Sequence, residues 1–422
     1  MRAAFRRFEV PMSREDRGPL AGRRIVWGFG GGIAAYKACH ALRLAVHDGA
    51  KVHAAMTAAA TRFVGPLTVQ ALTGAPVLTE VLEPSQEAQY GHLDLARGSD
   101  LLVLAPATAD LIARVRAGMG NDAVSTTALA VRCPVLVAPA MNVAMWENSL
   151  VQENVEALRR TGRFHFVGPA SGLLADGDVG PGRLAEPEEI LEAIRRLLSP
   201  KDLQGLKIVV TAGPTREHLD PVRFLSNPST GRMGYAVAEA ARRRGAEVVL
   251  LTGPTELPPP EGVKLVRIVS AEELLHAALE HANDADVFVA AAAVADQRPA
   301  VRLDQKAKKQ AGEESVVLER TPDVLKTFSE RVEGRKQRPI LVGFAAETEK
   351  VEEHARGKLA AKRLDLVVAN DVGEAESGFG TTTNRVVLVA PDKVERLPLM
   401  PKTAVADAIL DRVAALRAAR GA

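Results

Sequence analysis

One short pattern occurs twice along this chain, and it constrains the fold more than any other feature. Leu20-Ala-Gly-Arg-Arg-Ile-Val-Trp27 opens the first half and Leu203-Gln-Gly-Leu-Lys-Ile-Val-Val210 opens the second. Each reads as a buried strand entered through a glycine turn and left through another glycine. A helical stretch follows in each half, Ile33–Asp48 and Met233–Arg244, and stops at Gly49 or Gly245. Glycine is favoured there because it takes positive φ just past a helix end. A second strand starts at once, at Lys51–Met56 and Glu247–Leu251. Further on, Asp100-Leu-Leu-Val-Leu-Ala-Pro-Ala-Thr-Ala-Asp110 aligns without a gap on Asp286-Val-Phe-Val-Ala-Ala-Ala-Ala-Val-Ala-Asp296. Strands alternating with helices argue for mostly parallel sheets covered on both faces. The expected fold is therefore α/β, as two Rossmann-like three-layer domains. In such sheets ligands bind beyond the carboxyl ends of strands, near the switch in strand order. The Ala-rich stretches fall at that edge, although small residues there also serve simply to pack helix on sheet.

Two domains agree with 422 residues, which is too many for one ordinary core. The boundary is expected between Glu186 and Gly205, where Pro187, an amphipathic Glu188–Leu198 and Ser199-Pro200-Lys201 read as a terminal helix and a tether. This gives an N-terminal extension over 1–20, a first domain over 21–190, a linker over 191–204 and a second domain over 205–422. Residues 297–338 form a polar excursion, read as an insertion with an edge strand at Ser315–Leu318 that serves as a flap or a subunit contact. With 47% hydrophobic but 4% aromatic residues, the cores must be built from Ala, Val and Leu. A net charge of +2, with Lys and Arg spread along the chain, gives no case for nucleic-acid or membrane-surface partners. Any basic site is then a local anion pocket. Cys39 and Cys133 are the two cysteines, and neither lies in a CxxC, which argues against a disulfide framework or a thiolate zinc site. That usage, the absence of a ~20-residue apolar run and an N-terminus without an apolar signal region lead us to expect a cytoplasmic protein.

In the first half, Gly28-Phe-Gly-Gly-Gly32 follows the opening strand and leads into a helix. Backbone N–H groups of such a turn cradle phosphate, but the signal alone fits NAD, FAD, FMN or tight packing. A dinucleotide site would want an acidic residue about 20 residues on. Here the second strand runs into Met56-Thr57-Ala58, which favours a mononucleotide. Gly31-Gly-Ile-Ala-Ala-Tyr-Lys37, Gly91-His-Leu93, Ala105-Pro-Ala-Thr-Ala-Asp110, Gly118-Met-Gly-Asn-Asp122 and Pro139-Ala-Met-Asn-Val-Ala-Met-Trp146 then occur in order. Together they resemble the homo-oligomeric flavin-containing cysteine decarboxylases, over about residues 21–190. The resemblance implies FMN held by Gly30, Gly31, Gly32, Thr57, Ala105, Pro106, Ala107, Thr108 and Ser125. It also implies His92 as catalytic base and Asn142 as a substrate-binding residue. Read alone, His92 is an ordinary surface histidine and Asn142 a loop amide. The chemistry supports a redox cofactor, because losing CO2 from an N-acylcysteine leaves a carbanion with no sink unless the CH2–SH carbon is first oxidised.

Two departures stand out. Ser171-Gly-Leu-Leu-Ala-Asp-Gly-Asp-Val-Gly-Pro-Gly-Arg183 resembles the family's substrate-clamp loop, yet Asp176 stands where the family has the cysteine that donates the last proton. A thiol with a reference pKa near ~8.5 is protonated at neutral pH, whereas an Asp near ~3.9 is not unless burial raises it. Either Asp176 is protonated when the clamp closes or water supplies the proton. Gly30 replaces a serine common among relatives, at the cost of one side-chain hydrogen bond to phosphate.

The second half spends more chain before its second strand. Ile25 to Gly49 spans 24 residues and Ile208 to Gly245 spans 37, the excess lying in a polar loop from Pro214 to Gly231. A long loop at the ligand edge of a sheet is more often functional than decorative. Gly213-Pro-Thr-Arg-Glu217, Asp220-Pro-Val-Arg223, Ser226-Asn227, Thr230-Gly-Arg-Met-Gly234, Ala291-Ala-Ala-Val-Ala-Asp296, Gly343-Phe-Ala-Ala-Glu-Thr348 and Ala369-Asn-Asp371 form a second ordered set. They resemble the CTP-using phosphopantothenoylcysteine synthetases that are fused to the decarboxylase, across about residues 205–415. That resemblance implies Asn227 stabilising an acyl-cytidylate and Lys306 contacting the nucleotide phosphates. CTP would be bound by Ala290, Ala291, Ala292, Asp296, Pro322, Asp323, Phe344, Lys358 and Lys362. Magnesium would arrive with CTP, its protein ligands not identified. By composition alone, Lys306–Lys309 is a solvated charge run, and Lys358 and Lys362 are a basic helix face.

The two resemblances together imply consecutive steps of coenzyme A synthesis. 4′-Phosphopantothenate would be joined to L-cysteine at the expense of CTP, and the product decarboxylated to 4′-phosphopantetheine with FMN. They also imply a homododecamer of decarboxylase trimers linked by ligase dimers. Rival readings are a flavoprotein regulatory subunit, a ligase whose decarboxylase half is impaired at Asp176, and a two-domain NAD-type reductase. The missing acidic ribose ligand and the long second-half loop disfavour the last.

Overall fold

In the computed structural model, residues 18–81, 92–173, 177–306, 315–347, 350–371, 378 and 380–421 are described. Two compact units divide the chain between Ser199 and Pro200. Within the first, β1 (Arg24–Phe29), β2 (Lys51–Met56), β3 (Val77–Leu78), β4 (Leu101–Ala107), β5 (Val135–Pro139) and β6 (Phe164–Phe166) form one sheet in the order β3-β2-β1-β4-β5-β6. Every pairing in it is parallel. The order reverses between β1 and β4, the topological switch point at which such sheets bind ligands.

Alternation along the strands explains why both faces are covered. Ile25, Trp27 and Phe29 pack with Leu101 and Val103 under the helices Ala35–His47 and Pro187–Leu198. Val26, Leu102 and Leu104 point the other way, into the helices Ala109–Ala117, Ala123–Ala130 and Ser149–Arg159. Gly49 takes φ +94° beyond the first helix and Gly245 takes φ +92° at the matching place in the second unit, as the shared pattern requires.

The helix Pro187–Leu198 is the terminal helix expected before the tether, and it extends into the stretch 191–204 assigned to the linker. Ile190, Leu191, Ala193 and Ile194 are buried in the core of the first unit, against the first helix and β5, whereas Arg196 is exposed. Each large aliphatic side chain so buried contributes about 1.5–3 kcal/mol. Arg195 adds a two-pronged ion pair to Asp48, at 2.8 and 2.6 Å, the bidentate geometry in which a shielded pair is strongest. Beyond β6, β7 (Ala170–Leu173) and β8 (Val179–Arg183) pair as an antiparallel hairpin.

The second unit repeats the plan. Its sheet contains β9 (Lys207–Ala212), β12 (Glu247–Thr252), β13 (Lys264–Arg267), β14 (Val287–Ala290), β17 (Ile340–Glu347), β18 (Leu366–Asp371), β20 (Val386–Val389) and β21 (Val394–Arg396), in the order β13-β12-β9-β14-β17-β18-β20-β21. The first six strands are parallel and the last two are antiparallel additions. Ile208, Val210 and Leu250 face the helices Arg232–Arg243 and Lys402–Gly421, whereas Val209, Leu251 and Phe288 face the helices Ala271–Glu280, Val324–Val332 and Val351–Ala361. Short antiparallel pairs complete it: β10 (Arg216–His218) with β11 (Phe224–Ser226), β15 (Gln297–Pro299) with β16 (Leu318–Arg320), and β19 (Thr383–Asn384) with β22 (Met400–Pro401).

The excursion over 297–338 is less polar than its composition implied. Its edge strands are β15 and β16, the second lying at Leu318–Arg320 rather than 315–318. Its last part, Val324–Val332, is a core helix whose Phe328 stacks on Phe288 with centroids 4.0 Å apart. The apolar spacing Val324, Leu325, Phe328, Val332 is helical, but intervening Lys, Glu and Arg mask it.

Candidate functional sites

At the switch point of the first unit, three segments meet where β1, β2 and β4 end side by side: the loops 30–32 and 57–59 and the end of β4 with Thr108, 105–108. They lie so close that side chains are excluded. A Cβ on Gly31 would stand 2.3 Å from the Ala59 Cβ, and one on Gly30 would stand 2.5 Å from the Pro106 oxygen. Gly30 N–H donates to that same oxygen at 2.9 Å, so serine at position 30 would require the Pro106 carbonyl to move. Gly32 is different, with its nearest neighbour, Thr108 Cγ2, at 3.7 Å. The buried Trp27 indole donates to the Ala105 carbonyl at 2.9 Å and fixes the third segment from beneath. Thr57 Oγ1 accepts from Ala60 N–H and Thr108 Oγ1 from Leu111 N–H, so both threonines shape their loops.

The expected residues Gly30, Gly31, Gly32, Thr57 and Ala105–Thr108 are therefore brought together. Ser125 sits in the first turn of another helix. It is fully buried, and its hydroxyl donates to Asp122 Oδ2 at 2.7 Å within a capping box that starts the helix Ala123–Ala130. Asn142 caps a short helical turn, accepting from Ala144 N–H at 2.7 Å, and its amide donates to Asp178 at 3.2 Å. Since Met141 N–H also donates to Gly182 O at 2.9 Å, the hairpin β7–β8 is docked on the Asn142 turn. His92 opens the short helix His92–Ala96, but its side chain, like the whole of Asp176, lies outside the described residues.

In the second unit the long loop 214–231 folds into the hairpin β10–β11. Buried Asp220 organises its tip, accepting from Val222 N–H, Arg223 N–H and the Arg223 guanidinium, each at 2.8 Å. The hairpin is tied to the Ala-rich loop after β14. Thr215 Oγ1 accepts from Ala295 N–H at 3.0 Å, and Asn227 Nδ2 donates to the Ala293 and Val294 carbonyls at 3.3 and 3.0 Å. Asn227 thus spends both N–H groups on this loop. Its amide hydrogens position residues 293–294, and Asn227 itself lines the cavity that these loops surround.

Around these loops lies a cavity of about 740 Å³. It brings together Asn227, Ala290, Ala291, Ala292, Asp296, Pro322, Asp323, Phe344, Lys358 and Lys362 from seven separate sequence positions. Lys358 and Lys362, one turn apart, do face it together. Lys358 donates to the Phe344 carbonyl at 2.5 Å and Lys362 pairs with Asp323 at 2.7 Å. Burial pushes the Asp323 carboxyl up, but the Lys362 ion pair, Lys326 N–H and nearby lysine charge outweigh it and hold the group below its ordinary value. Lys306 is exposed and is not among the residues lining this cavity.

Among the lining residues that sequence reasoning missed are Asn384 and Lys402. Asn384 accepts from Gly378 N–H at 3.3 Å, and Lys402, the first residue of the last helix, is buried with its ammonium on the Gly378 and Thr381 carbonyls. No motif surrounds either in the sequence, and a lysine opening a terminal helix reads as surface. The lining carries five cations, Arg232, Arg320, Lys358, Lys362 and Lys402, against the two carboxylates Asp296 and Asp323. Such an excess suits a polyanionic ligand.

Fold and sites define a two-unit α/β enzyme with a mononucleotide-type crevice in one unit and an anion-binding cavity in the other. The comparisons agree. The Flavoprotein family model matches residues 13–199, and the model for the C-terminal domain of DNA/pantothenate metabolism flavoproteins matches residues 203–416. The coenzyme A biosynthesis bifunctional protein CoaBC of Vibrio vulnificus is 46% identical over 399 residues, covering 94% of this chain and 98% of that relative. The protein of the same name from Escherichia coli is 46% identical over 398 residues, covering 93% and 97%. A solved C-terminal domain of such a bifunctional protein is 43% identical, covering 51% of this chain and 97% of its own, with a TM-score of 0.44. The chain belongs to the family of coenzyme A biosynthesis bifunctional proteins. It is a flavoprotein enzyme with a decarboxylase and a ligase activity. No helix among the described residues is long and apolar enough to cross a membrane.

Proposed function

We propose that the second unit joins 4′-phosphopantothenate to L-cysteine using CTP, and that the first unit decarboxylates the product with FMN. The observation that carries this reading is the cavity of the second unit, which gathers an Ala-rich loop, a locked amide and excess positive charge around one space. To couple a carboxylate to an amine, the carboxylate must first be activated. Attack on the α-phosphate of CTP forms an acyl-cytidylate and expels pyrophosphate, and cysteine nitrogen then displaces CMP. Cations are needed where phosphate charge is crowded. Among the described residues no group of three or more His, Cys, Asp or Glu could hold a metal ion, so magnesium enters this account as part of the Mg·CTP substrate. Asn227 keeps the loop 290–294 against the reacting acyl group, and Lys358 and Lys362 draw in the nucleotide.

In the first unit, the side-chain-free cradle at Gly30 and Gly31 fits a flat phosphate-bearing cofactor, held by Gly30–Gly32, Thr57 and Ala105–Thr108. When bound, FMN supplies the two-electron oxidation and reduction that decarboxylation of an acylcysteine needs. Asn142 orients the substrate beneath the docked hairpin, and His92 is the base. Ile33, Tyr36, Leu67 and Leu150 of this unit are exposed, which supports burial against further copies in a homododecamer of decarboxylase trimers and ligase dimers. Such an enzyme works in the cytoplasm on small molecules.

The test of the nucleotide reading omits cysteine. Protein mixed with 4′-phosphopantothenate and Mg·CTP should release one pyrophosphate per ligase site in a burst, and ATP should not replace CTP. Absence of any pyrophosphate, in an enzyme that ligates with another nucleotide, would exclude CTP.

A further inference from the structure

Lys402 is an unusual choice for a structural tie. It is 7% exposed, and its ammonium donates to the Gly378 and Thr381 carbonyls at 2.9 and 2.8 Å. Neutral donors can hold two carbonyls without the cost of burying a charge, which is large unless the charge is paired. Among the described residues no carboxylate pairs with Lys402. Burial, and then the positive charge of Arg232, pull its pKa down to about 8. The position thus carries charge at a cost that the loop contacts alone do not explain.

Its surroundings supply the reason. Lys402 and Arg232 line the same cavity. Arg232 is the first residue of the helix Arg232–Arg243, which starts at Gly231 with no side-chain cap, so the positive end of the helix faces the same space. Beyond Arg232 an adjoining cavity of about 590 Å³ shares Ser229, Thr230 and Arg232 and is lined further by Arg216 and Arg267. No ion pair to a described carboxylate joins Arg216, Arg232 or Arg267. Lys362 at the Phe344 side of the first cavity is by contrast already paired with Asp323. Uncompensated positive charge therefore concentrates at the Arg232 end, and a polyphosphate is the part of the substrates that matches it.

We propose that Lys402 and Arg232 form the site for the polyphosphate tail of the nucleotide, with Lys402 at the same time holding the carbonyls of Gly378 and Thr381 at the cavity wall. This rests on the reading that the ligase uses CTP. Lys402 is then a binding and positioning residue, and the bound phosphate supplies the missing counter-charge.

The experiment measures initial rates of pyrophosphate release by the full chain with CTP and cysteine varied separately. Lys402→Met should raise KM for CTP about tenfold or more, the scale of one lost charge-assisted hydrogen bond. KM for cysteine should change less than twofold, and Lys402→Arg should recover most of the loss. Arg232→Met, at an exposed position, should raise KM for CTP in the same selective way and covers the case in which Lys402→Met fails to fold. Unchanged KM for CTP in Arg232→Met, or equal losses toward CTP and cysteine in Lys402→Met with no rescue by Lys402→Arg, would overturn the proposal. If the wild type itself releases no pyrophosphate from CTP, the CTP reading fails; if it does and the variants match it, only this site fails.

Discussion

Gly31→Val should yield a colourless protein that no longer decarboxylates but still ligates. The reason is steric and local. A Cβ at this position would lie 2.3 Å from the Ala59 Cβ and 2.9 Å from the Ala59 carbonyl carbon. Neither neighbour is a flexible side-chain end, so the loops after β1 and β2 must part, and a closely packed interior yields little. The cofactor cradle is lost with them. Flavin absorbance per chain should fall at least tenfold, while CTP-dependent ligation stays within twofold of wild type. Gly65→Ala is the control, because a Cβ there has no neighbour within 4 Å, and it should keep its flavin. Full flavin content in Gly31→Val would mean that this crevice is not the cofactor site.

A comparable loss is expected in the other activity from Asn227→Ala. Removing the amide frees the Ala293 and Val294 carbonyls from the contacts that seat the Ala-rich loop. Small displacements of a loop at a reacting centre cost rate steeply, about 10²-fold for 1 Å, and we expect ligation to fall by about that factor. Asn227→Asp should not rescue it, since a carboxylate there would face two carbonyl oxygens. Decarboxylation of supplied 4′-phosphopantothenoylcysteine should be unchanged. A loss of less than fivefold in pyrophosphate release by Asn227→Ala would remove the positioning role given to this residue.

Much of this architecture was legible because its signals are local and repeated. The β2 bounds at Lys51–Met56, the helix stops at Gly49 and Gly245 and the gap-free Asp100 and Asp286 segments are short-range patterns that a parallel sheet demands. Other features depend on contacts far apart in sequence. The helix Pro187–Leu198 reads as a terminal helix, but that Ile190 and Ile194 close the first core and Arg195 reaches Asp48 depends on residues about 150 positions away. Phe328 reads as one aromatic in a charged stretch, and its partner Phe288 lies in another element. Of the residues that line the cavity of the second unit, those inside dense motifs, such as Ala290–Ala292 and Asn227, are the ones a sequence pattern singles out. Lys402 is not among them, because its significance comes from burial beside Arg232, which no local pattern announces. Ser125 likewise takes a local role that its motif does not announce, its hydroxyl donating to Asp122 in the helix cap.

The central claim is that one chain carries out ligation and decarboxylation in succession. Purified protein should be supplied with 4′-phosphopantothenate, L-cysteine, CTP and Mg²⁺, and CMP and CO2 followed in the same sample. We predict that both products appear, that CO2 follows CMP after a lag, and that their final amounts are equal. CMP without CO2 from flavin-loaded protein would contradict the two-step account while leaving the ligase intact.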